Sequence, residues 1–141
     1  MRSPAYLYSR YRHAMFMQGM LDRFRQRCPS DIDPYILPIQ SVGKSNEHLR
    51  AKGTLTLSAV EALAVWTAVG LSVARAGFRK IVVINSHGGN LDLISILLRE
   101  LHVQACLLAV KYQWCNFNYP KDMYTDHELK FGIHGGNVET P

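Results

Sequence analysis

The chain has 141 residues, 48% of them hydrophobic and 19% charged, with a formal net charge of +5. That is enough for one domain with a real core and an ordinary globular composition. The longest uncharged, mostly apolar segment, Ala62–Ala74, is too short for a membrane span, and the basic N-terminus lacks the apolar run of a secretory signal.

Six arginines fall in the first 27 residues against one acid, Asp22, whereas residues 28–141 carry equal numbers of basic and acidic side chains. A cationic front end suits nucleic acid or an acidic membrane surface. No recognition motif accompanies it, so it reads as a solvated basic face, with neither partner expected. Residues 1–13 (MRSPAYLYSRYRH) have no clear period and read as a poorly ordered arm. Residues 14–27 read as a helix, with Met15, Leu21 and Phe24 among its apolar positions. Pro29–Asp33 is a turn and Tyr35–Ile39 a short strand.

Ser41–Thr56 (SVGKSNEHLRAKGTLT) is a polar loop too long for a mere connector. Loops of that length are more often functional or mobile than incidental. Ser58 starts the next helix, and Glu61 completes an S-x-x-E capping box. Leu63, Trp66, Val69 or Gly70, and Val73 recur at helical spacing. Gly77 fits the left-handed position that ends such a helix.

Lys80–Asn85 is a run of Ile and Val, the pattern of a strand buried on both faces. Asn90–Val103 is a helix with Leu93, Ile96, Leu97 and Leu101 on one side, and Ala105–Tyr112 is a second buried strand. An aromatic-rich loop spans Gln113–Met123, Thr125 and Glu128 make a second possible capping box, and His134-Gly135-Gly136-Asn137 repeats a glycine-rich turn. Alternating helices and strands predict an α/β fold with a mainly parallel sheet and helices on both faces. Cys28, Cys106 and Cys115 are three, far apart and without a CxxC spacing, which argues for reduced thiols in the cytoplasm and against a zinc site built from them.

In an open parallel sheet, ligands bind beyond the carboxyl ends of the strands. His87 lies just past the strand 80–85, inside VINSHGGN (83–90). Gly88 and Gly89 let the backbone turn and a ligand or metal come close, and Asn90 is placed to cap the following helix. A strand-to-helix turn also needs Gly and Asn for geometry alone, but the second HGG turn at His134 suggests two loops converging on one site. His13, His102 and His127 lack such a context and read as surface or partly packed residues. A hydrolytic metal site needs several N/O ligands and an open position for water. The available donors are His87 and His134, with Glu47 or His48 in the long loop, and no compact E-x-H cluster joins them.

VINSHGGN is similar to the N-G/S-H-G-G-N motif of the creatininase family, the creatinine amidohydrolases and their relatives. SVGKSNEHLRAKGTLTLS (41–58) resembles that family's G-x-S-x-E-H…P-G-T-L-T-L-S loop, and GIHGGNVETP (132–141) resembles its closing H-A/G-G-E/D-x-E-T-S element. The three motifs stand in the family's order and cover about residues 28–140. The resemblance implies a three-layer αβα fold, assembly as a homo-oligomer, and a zinc- or manganese-dependent hydrolase acting on a non-peptide C–N bond of a small cyclic amide. It implies His87 as a metal ligand and Asn137 at the position of an acidic one. Ser45, Glu47 and His48 would lie on the substrate side, and His134 would be the proton-transferring or substrate-orienting histidine.

Nothing in residues 1–40 resembles the family's early E-x-H-G-x-H-L-P…T-D element, which supplies metal ligands, and position 137 is Asn. The expectation is therefore a basic arm and helix over 1–27, atypical of the family, followed by a partial domain over 28–141, truncated at both ends. Such a chain is a hydrolase by descent, impaired or inactive as it stands, with doubtful metal binding. The alternative is a non-catalytic remnant serving as an oligomerisation or binding module.

Overall fold

The computed structural model describes residues 17–50, 52–113, 116 and 123–131, apart from the side chain of Glu128. Residues 17–27 are helical (α1). Met17 is buried, but Phe24 is exposed, and Met15 lies outside the described residues. The turn expected after it is present, closed by Ile32 N–H donating to Pro29 O at 3.0 Å.

The strand expected over Tyr35–Ile39 does not form; residues 32–40 are irregular. Pro34 and Pro38 bracket the segment, and proline cannot donate to a sheet ladder. Tyr35 and Leu37 are exposed, so the apolar composition is not matched by burial.

Helix α2 (Ala59–Arg75) starts as its sequence dictates. Ser58 Oγ accepts from Glu61 N–H at 3.2 Å, and Glu61 Oε2 accepts from Ser58 N–H at 2.8 Å. Two donors orphaned by the first turn are thereby satisfied reciprocally. Gly77, with φ +97, ends the helix. Phe78 N–H reaches Val73 O and Gly77 N–H reaches Ala74 O, the paired bonds of a left-handed glycine stop.

Strand β1 (Lys80–Asn85) and strand β2 (Leu108–Gln113) are parallel neighbours, with Ile81 opposite Ala109 and Val83 opposite Lys111. Helix α3 (Leu91–Ala105) makes the crossover between them. Its buried stripe is Ile94, Leu97 and Leu101. Ile96, expected on that side, is exposed: the i, i+3, i+7 spacing from Ile94 selects a face that excludes it. Cys106, in the left-handed conformation (φ 51), closes α3. The second strand therefore begins at Leu108 rather than at Ala105. A short helix, α4 (Asp126–Phe131), follows, with Leu129 N–H donating to Thr125 O at 3.0 Å.

Leu97, Leu101 and Leu107 form the core, and Leu63, Trp66, Leu71 and Ala74 of α2 pack on it together with Ile81 and Ala109 of the sheet. Each fully buried leucine contributes on the order of 2 kcal/mol. Gly70 lets α2 approach α3; a Cβ there would lie 2.5 Å from a Leu101 methyl.

Because Ile81 and Ala109 face α2 and α3, the alternate residues of each strand face the other way. Val82, Ile84, Leu108, Val110 and Tyr112 form that outer row, and all are exposed. The expectation of strands buried on both faces is corrected: α2 and α3 share one side of the sheet. Among the described residues no helix is long and apolar enough to cross a membrane. Cys28 and Cys106 carry free thiols, and Cys115 lies outside the described residues.

The capping box makes a pH prediction. Hydrogen bonds from the Ser58 backbone and side chain hold the Glu61 carboxyl below its ordinary 4.5. A carboxyl whose folded value is depressed stabilises the fold above its unfolded value and loses that effect as pH falls through the folded one. Glu61→Gln will therefore lower the melting temperature at neutral pH and flatten part of the acid limb. Identical acid limbs for the two proteins would contradict the cap's role.

Candidate functional site

The site lies beyond the carboxyl end of β1, where the polar loop 41–57 meets the turn into α3. The loop is closed on itself by backbone and side-chain bonds. Leu57 N–H donates to Gly43 O at 3.0 Å, Ser45 N–H to Thr56 Oγ1 at 2.7 Å, and the Thr54 hydroxyl to His48 O at 2.8 Å. Within it, Asn46–His48 form one 3-10 turn. Ser45, just before it, is buried. The loop's threonines and serine thus serve as its internal ties, which explains how a segment without regular structure holds a defined shape.

The strand tip is built by Asn85, itself buried. Its Oδ1 accepts from His87 N–H at 3.2 Å, and its Nδ2 donates to His87 O at 2.8 Å. One side-chain amide grips both backbone groups of the histidine and holds it extended, at φ −137 and ψ 124. Gly88–Asn90 then make a 3-10 turn that leads into α3.

His87 Nε2 lies 2.7 Å from Glu47 Oε1, a close ion-pair contact. His48 Nε2 is 4.0 Å from the same oxygen, and the Ser45 hydroxyl donates to it at 3.4 Å. The side chains of Glu47, His48 and His87 remain 29%, 29% and 27% exposed, so the cluster opens to solvent, although His87 Nε2 itself is sealed from it. Burial pushes the Glu47 carboxyl up. Its own backbone N–H, the charge and hydrogen bond of His87 and the charge of His48 outweigh that, and the carboxyl sits below its ordinary 4.5.

Gly88 and Gly89 do different work from the turn geometry expected of them. Neither has a positive φ. A Cβ on Gly88 would meet open space, whereas one on Gly89 would lie 2.7 Å from Glu47 Oε1, 2.8 Å from His87 Nε2 and 2.8 Å from Lys44 O. Gly89 is required for close approach: the loop and the imidazole meet over a residue with no side chain.

Asn90 departs from its expected role. Its side chain makes no capping bond to α3. Instead its Oδ1 accepts from Lys44 N–H at 3.0 Å and its Nδ2 donates to Asn85 Oδ1 at 3.4 Å. The loop's close docking gives the acceptor a better use than the helix end would.

Of the site residues expected from sequence, Ser45, Glu47, His48 and His87 converge. His134 and Asn137 lie outside the described residues, as do His13 and the 1–13 arm. His102 and His127 are exposed: His102 Nδ1 lies 3.2 Å from Leu107 O, and His127 packs on Phe131. Sequence reasoning missed Asn85, whose signal was a lone amide ending an apolar strand run.

A catalytic dication does not fit the described donors alone. Two donor atoms, Glu47 Oε1 and His87 Nε2, meet at 2.7 Å, fewer than the three protein ligands that a hydrolytic zinc site takes. Among the described residues no group of three or more His, Cys, Asp or Glu is arranged to hold a metal.

A family model described as creatininase, creatinine amidohydrolase, matches residues 12–141. No curated protein and no solved structure matches the chain.

The two glycines separate space from backbone freedom. Gly89→Ala will cost about 1–3 kcal/mol, as overpacking does, and will move the His87 ring signals in NMR spectra. Gly88→Ala will stay within about 0.5 kcal/mol of the parent and leave those signals in place. Equal effects of the two substitutions would refute the close-approach explanation.

Proposed function

Because the chain belongs to the creatininase family, we propose that it is by descent a hydrolase of a C–N bond other than a peptide bond, in a small cyclic amide. One observation carries the reading: Ser45, Glu47 and His48 from the loop reach the same opening as His87 from the strand tip. Sites on open α/β folds are assembled in this place, by loops beyond the strands' carboxyl ends.

In this reading the loop supplies the substrate side. The buried Ser45 holds its hydroxyl against Glu47, and the carboxylate, flanked by two imidazoles, presents an acceptor to an amide N–H. The same reading assigns His134 to proton transfer and Asn137 to the metal side with His87, within the three-layer fold and zinc or manganese dependence of the family. That the described residues bring no group of three or more possible ligands together supports the reading that the chain as it stands holds such a metal poorly. Turnover is accordingly impaired or absent.

The test is elemental analysis of the purified chain, paired with hydrolysis of creatinine and other small cyclic amides with added zinc or manganese. The account predicts less than about a tenth of an equivalent of tightly bound metal, the level expected without a preformed ligand set, and little turnover. Stoichiometric metal with metal-dependent hydrolysis would show a working enzyme and overturn the impairment.

A second reading, an oligomerisation or binding module, is favoured by the exposed outer row Val82, Ile84, Leu108, Val110 and Tyr112. A contiguous apolar sheet face is normally covered, and a second copy of the chain is the occupant proposed. Sedimentation should then show an assembly larger than the monomer, and Val110→Lys should reduce it to monomers without unfolding α2 and α3. A monomeric parent chain would remove this reading.

A further inference from the structure

Resting on that reading of the site, we propose that Asn90 is a positioning residue: its side-chain amide docks the 43–48 loop on the tip of β1 and thereby fixes where Glu47 meets His87. The amide joins the loop to the strand tip. Lys44 N–H donates to Asn90 Oδ1 at 3.0 Å across 46 residues of sequence. Asn90 Nδ2 donates at 3.4 Å to Asn85 Oδ1, and that same oxygen accepts from His87 N–H at 3.2 Å. A single relay therefore runs from the loop backbone, through two amides, to the backbone of the histidine.

The relay has little slack. A Cβ on Gly43 would lie 2.8 Å from Asn90 Oδ1, so the loop backbone is pressed against the amide. Beyond Lys44, Ser45 N–H is tied to Thr56 and the chain enters a 3-10 turn that carries Glu47. A displacement at Lys44 is thus transmitted to the Glu47 carboxylate within three residues.

The chemistry explains the residue type. Position 90 must accept from Lys44 N–H and donate to Asn85 Oδ1 at once. A side-chain amide does both, whereas an ionised carboxylate only accepts and a hydroxyl is too short to span the two. The conformational role expected of this residue is absent, because no side-chain bond caps α3. Asn90 acts through Glu47 and His87 and touches no reacting atom.

The test uses the full chain with isotope-labelled histidine, read by NMR at one fixed pH, with Glu47→Gln as the reference for a broken Glu47–His87 contact. In Asn90→Ala the His87 ring nitrogen signals should move toward their positions in Glu47→Gln. Exchange of the Lys44 amide should rise roughly tenfold, the loss of one hydrogen bond, while the Ala62 and Leu101 amides stay protected. Asn90→Asp keeps the acceptor for Lys44 and loses the donor to Asn85, so the Lys44 amide should remain protected while the ring signals still move. That second variant carries the test if the alanine variant fails to fold. Ring signals that stay at their parent positions in either folded variant would overturn the proposal, and so would uniform loss of protection along α3. Neither readout involves metal or turnover, so a chain without hydrolase activity leaves the test intact.

Discussion

The contact between Glu47 and His87 is the interaction on which the candidate site depends. It joins two segments with different structural logic: a loop held by its own threonines and serine, and a strand tip held by an amide. Neither segment contains enough apolar surface to fix the other. What joins them is this close ion pair, in a partly desolvated place where such a contact is stronger than in water, together with the bond from Lys44 N–H to Asn90 Oδ1. The Glu47 carboxyl is held below its ordinary value against burial by its own backbone N–H first and by the neighbouring His87 and His48 after it.

Geometry makes the contact possible. The residue beneath it has no side chain, and a Cβ at Gly89 would overlap the carboxylate, the imidazole and a loop carbonyl together. The tip is aimed by β1, which is fixed by its pairing with β2 and by the leucine core shared with α2 and α3. Among the described residues that core is small, with Leu101 and Leu107 its largest fully buried side chains. The site is therefore held more by hydrogen bonds at the strand ends than by packing beneath it, which makes its polar ties a sensitive place for substitution. The outer row of the sheet is exposed on the side away from α2 and α3.

Much of this was legible in the residues. Local rules located α2 to its terminal residues, because the Ser58–Glu61 box and Gly77 act through bonds that depend on a few neighbours only. The bounds of β1 followed from its aliphatic run, and the loop Ser41–Thr56 announced itself by length and polarity. Its motif likeness placed Ser45, Glu47, His48 and His87 together, and the structure brings those four into one cluster. The failures have two causes, one local and one tertiary. Tyr35–Ile39 has strand-like side chains but prolines that cannot enter a ladder. Asn90 has the chemistry of a cap, yet a tertiary partner 46 residues away claims its oxygen. Burial on both faces of β1 was inferred from composition, which cannot say which neighbours cover each side. For Asn90 and for the faces of β1 the deciding partner is distant in sequence, where local pattern carries no information.

The most direct measurement is a double-mutant cycle between Glu47→Ala and His87→Ala, read as denaturant stability at neutral pH. If the two side chains hold the loop on the strand tip, the double variant will be more stable than the two single losses summed, by a coupling of about 0.5–3 kcal/mol, the range found for residues in contact. Additive losses, with no coupling beyond error, would mean that carboxylate and imidazole do not meet, and the site described here would not exist.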